Sequence, residues 1–364
     1  MTHAIRPQPG NLDIDLYVPG DSSLAGANRT IKLSANENPL GPSPRATEAF
    51  RAEADGLATY PDGGHTRLRT AIGEVFDLDP ARIICGNGSG DVIALLCQAY
   101  AGPGDEVIYS RHGFALYRID ALASGATPVE VPEQERQTDI DAILAAATER
   151  TRIVFIANPN NPTGTMVSGA EIARLAEGLP AETLLVLDGA YAEYVRTPGF
   201  DGGLALARGR EDVVVTRTFS KIYGLGGLRI GWGYGPQHVI DTLNRIRGPF
   251  NVSAPALAAA EAAVRDVEYT EHCAVQNEVW RDWMVKEVRR IGLATDETFA
   301  NFVTVRFTSP DAAKAADAAL RARGVIVRGV AGYHMPEALR ITVGEESACR
   351  LVIEVLSRFM DASR

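Results

Sequence analysis

Residues 216–233 read TRTFSKIYGLGGLRIGWG. Lys221 stands here just beyond the apolar run Val213, Val214, Val215, with the hydroxyls of Thr218 and Ser220 beside it. Glycines come next at 224, 226 and 227, and Arg229 lies eight positions on. A solvated surface lysine, the usual fate of this residue, needs no such setting. A lysine held at a strand end among anion-binding groups is another matter, because desolvation lowers its pKa and makes its amine nucleophilic.

Working outward, short apolar runs at 82–85, 106–109, 153–157, 184–187, 213–216 and 228–232 alternate with segments of helical spacing such as 91–100 and 169–177. Strand and helix in alternation predict an α/β fold with a mostly parallel sheet between helices. Residues 1–45, rich in Pro, Gly and Asn, read as an N-terminal arm that joins a smaller domain. Residues 46–250 form the large domain. From 251 to 364 the pattern changes to a long helical run, from Ala256 to about Ile291, then FANFVTVRF, GVIVRGV, ALRITVG and a last helix, a smaller α+β domain.

The 364 residues suffice for two cores, and 46% apolar with 23% charged residues is an ordinary globular balance. A net charge of −10 argues against a phosphate-backbone partner, so no nucleic acid is expected. The four cysteines are scattered without a CxxC, and the six histidines show no HExxH spacing, so no metal site is expected. MTHAIRPQPG lacks the apolar core of a signal peptide, and no apolar run approaches a membrane span, which leaves a cytoplasmic protein as the expectation.

Ligands of parallel sheets sit beyond the carboxyl ends of the strands, so the residues just after each run matter most. After 82–85 comes GNGSGD, residues 86–91, where Gly88, Ser89 and Gly90 open a helix. That stretch suits either a phosphate cradle or a plain glycine turn. NPNNPTG, 158–164, is a turn that can also aim the amide of Asn161. DGAYAEY begins with Asp188, either a helix cap or a buried carboxylate awaiting a cation, with Tyr191 three residues on. Together the strand ends offer phosphate donors (Ser89, Thr218, Ser220, Arg229), a carboxylate for a pyridinium nitrogen (Asp188), donors for a phenolic oxygen (Asn161, Tyr191) and an amine for an aldehyde (Lys221). One ligand has all four handles, pyridoxal 5'-phosphate.

NPNNPTG, DGAY and SKIYGLGGLRIGW resemble the fold-type I pyridoxal-phosphate aminotransferases of classes I and II. YVPG, LSANENPLGPSP, YPDGG, RGPFNVS and ALRITVG resemble the histidinol-phosphate aminotransferase branch, and the likeness runs from about residue 12 to 355. The resemblance implies that Lys221, Asp188 and Tyr191 are catalytic, and that Lys221 carries the cofactor covalently. It implies that Asp188 pairs with the ring nitrogen, that Asn161 and Tyr191 contact the ring oxygen, and that Ser89, its glycine neighbours, Thr218, Ser220 and Arg229 hold the phosphate. Phe114 in HGFALY matches the aromatic that stacks on the ring, and Tyr60 in YPDGG a tyrosine that reaches the site of the other subunit of a homodimer. Arg340 in ALRITVG matches the arginine that grips a substrate carboxylate. Arg328 and Tyr17 fall where a distal anionic group is met. Position 90 departs from the family, with glycine where an acidic residue is usual, and SRHGFALY lacks the usual leading proline.

The implied activity is transamination between histidinol phosphate and 2-oxoglutarate, giving imidazole-acetol phosphate and glutamate in histidine biosynthesis. Rivals are an aromatic amino acid aminotransferase, a decarboxylase or lyase on the same scaffold, a nicotinamide dehydrogenase, and a non-catalytic binding protein that kept the fold. Arg340, which would hold a carboxylate in place, stands against decarboxylation.

Overall fold

A computed structural model of the protein describes residues 5, 7–16, 21 and 30–362. The expectation for Tyr17 therefore falls outside the described residues. The arm contributes β1 (Ile31–Lys32). Next in the chain is a seven-stranded sheet, built from β2 (Ile83–Gly86), β3 (Glu106–Ser110), β4 (Thr127–Val131), β5 (Thr151–Ala157), β6 (Leu184–Asp188), β7 (Val213–Thr218) and β8 (Gly231–Tyr234). Its order is β2-β8-β7-β6-β5-β3-β4, and only β8 runs antiparallel to its neighbours. The second unit holds β9 (Ala294–Thr295), β10 (Phe302–Arg306), β11 (Val325–Ile326), β12 (Arg328–Val330) and β13 (Met335–Thr342). Four of these form an antiparallel sheet in the order β12-β13-β10-β9, while β1 pairs in parallel with β11. The α/β architecture with a smaller α+β unit is thus observed.

The large sheet is buried on both faces. Val213 and Val215 join Val154, Ile156, Leu185 and Leu187 in one apolar cluster, and Val214 joins Ile153, Phe155, Leu184 and Val186 in another. The period-two alternation of side chains explains how one valine run feeds both cores. The first four α-helices are α1 (Pro44–Ala52), α2 (Thr66–Phe76), α3 (Ser89–Tyr100) and α4 (Ala115–Ala123). The smaller unit has its own cluster, with Val303, Val305, Leu339 and Ile341 under Leu320 and Leu356.

Three expectations change. The strand expected at 228–232 begins later, at Gly231, because Gly226–Leu228 forms a 3-10 turn and Arg229 takes a left-handed φ of 53°. That turn reverses the chain and makes β8 antiparallel. β4, sequence TPVEV, is not among the expected strands; it is an edge strand, where a proline's missing N–H is tolerated. The long helical run is two helices, Ala254–Arg265 and Val267–Arg290, broken at Asp266. The first lies beyond residue 250 yet packs on α1 and α2 in the core of the large sheet. No described helix is long and apolar enough to cross a membrane.

Candidate active site

Strand register assembles the site. Asp188 at the end of β6 lies opposite Ala157 of β5 and Thr216 of β7. Gly231 of β8 lies opposite both Thr218 of β7 and Gly86 of β2. The carboxyl edge of the sheet thus carries, in one row, the end of NPNNPTG's strand, the aspartate, the two threonines and the glycine loop. Ser89, Gly90, Phe114, Asn161, Asp188, Tyr191, Thr218, Ser220, Lys221 and Arg229 all line one cavity, with Leu116, Ala157, Pro159 and Ala190 completing the wall. That mixed apolar and polar lining suits a small-molecule site.

The glycine loop is built for close approach. Gly88 has φ 87°, and a Cβ there would lie 2.7 Å from Arg229 Nη2. At Gly231 a Cβ would lie 2.3 Å from the backbone nitrogen of Ser89. At Gly231 nothing larger than hydrogen fits, which lets β8 pass close to the start of α3, whose Ser89 and Gly90 line the cavity. Arg229 Nη1 donates to Ser220 Oγ at 3.1 Å, and Ser220 N to Thr218 Oγ1 at 3.0 Å, which ties that group into one cluster. Helix N-terminal amides and a guanidinium together favour a dianionic group.

Asp188 is 4% exposed. Tyr117 donates to its Oδ2 at 2.7 Å and Thr216 to its Oδ1 at 3.1 Å. Burial pushes its carboxyl above the usual range, opposed by those hydroxyls. A cation placed against it would stabilise the anion. Lys221 Nζ donates to the carbonyl of Ala35 at 3.0 Å and lies 5.7 Å from the Tyr191 ring centroid. Burial, with the charge of Arg340 adding, pulls its pKa down to about 7, so much of it is free amine near neutrality. Asn36 donates to the Tyr191 hydroxyl at 2.9 Å, and burial pushes that phenol up to about 12, keeping it protonated.

Arg340 on β13 is buried and does not line the cavity, but its Nη1 donates to Asn161 Oδ1 at 2.5 Å and its Nη2 to the Ser34 carbonyl at 2.9 Å. Arg328 on β12 lines a neighbouring cavity with Arg111, Arg118 and His334, and Phe114 is a wall of both. Tyr60 stands apart from the cavity of its own chain, 78% exposed, with its ring stacked on Phe250 at 4.7 Å.

Some contacts are not foreseen from the sequence. Tyr117 carries a usable signal, three residues after Phe114 and hence on the same helical face. Thr216 carries one too, since it alternates with Thr218 along β7. The arm residues Ser34, Ala35 and Asn36, which meet Arg340, Lys221 and Tyr191, give none, because those contacts join residues 155 to 306 positions apart.

The family described as Aminotransferase class I and II matches residues 28–356. The chain belongs to that family. Among its relatives, the histidinol-phosphate aminotransferase of Dinoroseobacter shibae is 62% identical over 355 residues, covering 98% of each chain. That of Cereibacter sphaeroides is 58% identical over 359 residues, covering 99% of each. The solved histidinol-phosphate aminotransferase from Sinorhizobium meliloti, in complex with pyridoxal-5'-phosphate, superposes with a TM-score of 0.90 at 26% identity over 100% of both chains. A Thermus thermophilus aspartate aminotransferase shares the fold, with a TM-score of 0.80 at 24% identity over 91% of this chain and 92% of that one.

Proposed function

We propose that this chain transfers the amino group of histidinol phosphate to 2-oxoglutarate, giving imidazole-acetol phosphate and glutamate in histidine biosynthesis, with pyridoxal 5'-phosphate as cofactor. One observation carries the chemistry: a buried carboxylate, Asp188, and an amine of depressed pKa, Lys221, share the walls of one cavity. The substrate rests on the full-length likeness to histidinol-phosphate aminotransferases.

The donor set fits the cofactor handle by handle. The glycine-lined cradle at Gly88, Ser89 and Gly90 with Thr218, Ser220 and Arg229 holds the phosphate. Asp188 holds the ring nitrogen as a cation, Asn161 and Tyr191 bond the ring oxygen, and Phe114 covers the ring face. When bound, the cofactor supplies an aldehyde that takes up the amino group and a ring that draws off the electrons left at the substrate carbon. With the cofactor bound, Lys221 would hold that aldehyde and, as a free amine near neutrality, would move the proton at the substrate's amino-bearing carbon. Arg340 orients the carboxylate of glutamate with its planar fork. Arg328 and Tyr17 meet the distal anionic group.

The working form is a homodimer in which Tyr60 reaches the phosphate of the other subunit's site. Its exposure in the single chain and its stacking on Phe250 support that reading. The division into an arm, 1–45, a cofactor-binding body, 46–250, and a smaller unit, 251–364, is proposed with one overlap, since the helix Ala254–Arg265 packs on the body; limited proteolysis with and without substrate would test those limits. A cytoplasmic setting accords with a biosynthetic step on small polar metabolites.

The test uses purified protein loaded with pyridoxal phosphate. Its near-visible band should bleach with glutamate and with histidinol phosphate. Turnover should favour histidinol phosphate over phenylalanine when both are offered side by side. A strong preference for phenylalanine would overturn the substrate, and the lack of any band would overturn the cofactor.

A further inference from the structure

We propose that Tyr117 is a positioning residue for the cofactor's ring nitrogen: its hydroxyl, together with that of Thr216, fixes Asp188 as an oriented anion. This rests on the pyridoxal-phosphate reading of the cavity. Nothing in the family resemblance assigns Tyr117 a role.

The geometry is specific. Tyr117 is fully buried, and its ring lies parallel to Phe155 at 4.6 Å between centroids and 3° between planes. It also meets Phe114 edge-on at 5.9 Å and 89°, and Tyr109 at 6.5 Å. Packed against those rings, it cannot swing its hydroxyl elsewhere without breaking aromatic contacts. The hydroxyl lies 2.7 Å from Asp188 Oδ2, while Thr216 supplies 3.1 Å to Oδ1. Thr216 is fully buried as well, so neither hydroxyl has water as an alternative partner. A side-chain donor on each oxygen, from two different elements, holds the carboxylate in one orientation.

The pair also opposes desolvation. Burial alone would protonate Asp188, and a protonated carboxyl would hold no cation. The groups facing it are Tyr117 from α4, Thr216 and the charge of Arg217 from β7, the Ala190 N–H from its own loop, and Tyr191. Tyr117, Thr216, Ala190 and Arg217 all favour the anion. Burial keeps the Tyr117 phenol well above its ordinary pKa, so it stays a donor throughout the working range. Removing its proton donor makes Asp188 more basic, and the shared proton moves from the ring nitrogen towards the carboxylate. With less positive charge on the ring, the nitrogen joining the cofactor to Lys221 becomes more basic.

The experiment compares wild-type, Tyr117→Phe and Thr216→Val proteins loaded with pyridoxal phosphate. Read out are the pH midpoint of the near-visible band, kcat and KM for histidinol phosphate, and thermal melting. Tyr117→Phe keeps the ring contacts and loses only the hydroxyl. It should raise the midpoint by about half a pH unit or more and lower kcat about tenfold, with KM little changed. Thr216→Val should move the midpoint the same way by less, in keeping with its longer bond. A purely structural tyrosine would lower the melting temperature and leave the midpoint at the wild-type value. That unmoved midpoint overturns the inference, and if Tyr117→Phe fails to fold, an unmoved Thr216→Val midpoint does so. A wild-type protein without the band overturns the cofactor assignment and this inference together; a wild-type band with unmoved variants overturns this inference alone.

Discussion

Arg340 Nη1 and Asn161 Oδ1 are hydrogen-bonded at 2.5 Å, so the small unit's central strand β13 is joined to the turn that ends β5 in the large sheet. The same guanidinium donates to the Ser34 carbonyl of the arm at 2.9 Å and lies 5.4 Å from the Phe302 ring centroid. One side chain thus spans arm, large sheet and small sheet at the cavity's edge.

Arg340→Lys should keep the charge and lose the fork. A lysine ammonium cannot reproduce the planar pair of donors. We expect kcat/KM for glutamate to fall on the order of 100-fold, mostly through KM, because charge-assisted hydrogen bonds contribute about 1.5–3 kcal/mol each. Single-turnover bleaching of the cofactor band by glutamate measures it. A loss below threefold would remove Arg340 from carboxylate binding.

Lys221→Met tests the amine in two ways. Turnover should drop by on the order of 10^5, since a nucleophile and base are lost at once. The cofactor-free variant should also lose a pH dependence. Lys221's folded pKa, about 7, lies below its ordinary 10.5, so the unfolded chain binds more protons between those values. Stability of the cofactor-free wild type therefore rises as pH increases through that window. The variant should be more stable near pH 7, on the order of 2–4 kcal/mol, and equal to wild type near pH 10.5. Urea unfolding at both pH values decides it.

Gly231→Ala and Gly227→Ala make a matched pair. A Cβ at Gly231 would lie 2.3 Å from Ser89 N and 2.6 Å from Gly88 C, pushing the cradle out of register; Gly227 has nothing within 4 Å. The first should weaken pyridoxal phosphate binding at least about tenfold, as a misplaced donor set loses charge-assisted bonds. The second should leave it unchanged. Equilibrium dialysis against the cofactor separates them, and equal affinities would remove the cradle from phosphate binding.

His65→Asn addresses acid stability. His65 is buried at the start of α2 with a left-handed φ of 52°, a conformation asparagine tolerates. Burial, reinforced by the charge of Arg247, lowers its pKa to about 4 from 6.5. The unfolded chain then binds more protons between those values, so wild-type stability falls as pH drops from 6.5 towards 4. The asparagine variant should lack that part of the slope, a difference of up to about 3 kcal/mol across the window. Denaturation midpoints at pH 7 and pH 4.5 give the comparison, and parallel curves would refute it.

The strand ends are legible because their signals are local. A valine run, a carboxylate or lysine at its end, and glycines where the chain must turn all lie within a few residues of one another. β8 starts later than its apolar run suggests because two adjacent glycines and a left-handed Arg229 permit a reversal that hydrophobicity does not register. β4 is hidden because proline and glutamate read as non-strand until its position at the sheet edge is known.

By itself, the order of residues along the chain determined the fold class and, at breaks in its short-range pattern, set Ser89, Gly90, Asn161, Asp188, Tyr191, Thr218, Ser220, Lys221 and Arg229 at strand ends, whereas Phe114 was reached only through the family resemblance. The tertiary structure alone decided who holds those residues. Asn36 on Tyr191, Ala35 on Lys221 and Tyr117 on Asp188 are contacts between segments from 71 to 186 positions apart. Such pairs are set by sheet register and by the path of the arm across the second sheet, and register depends on the packing of whole faces rather than on any stretch of neighbours.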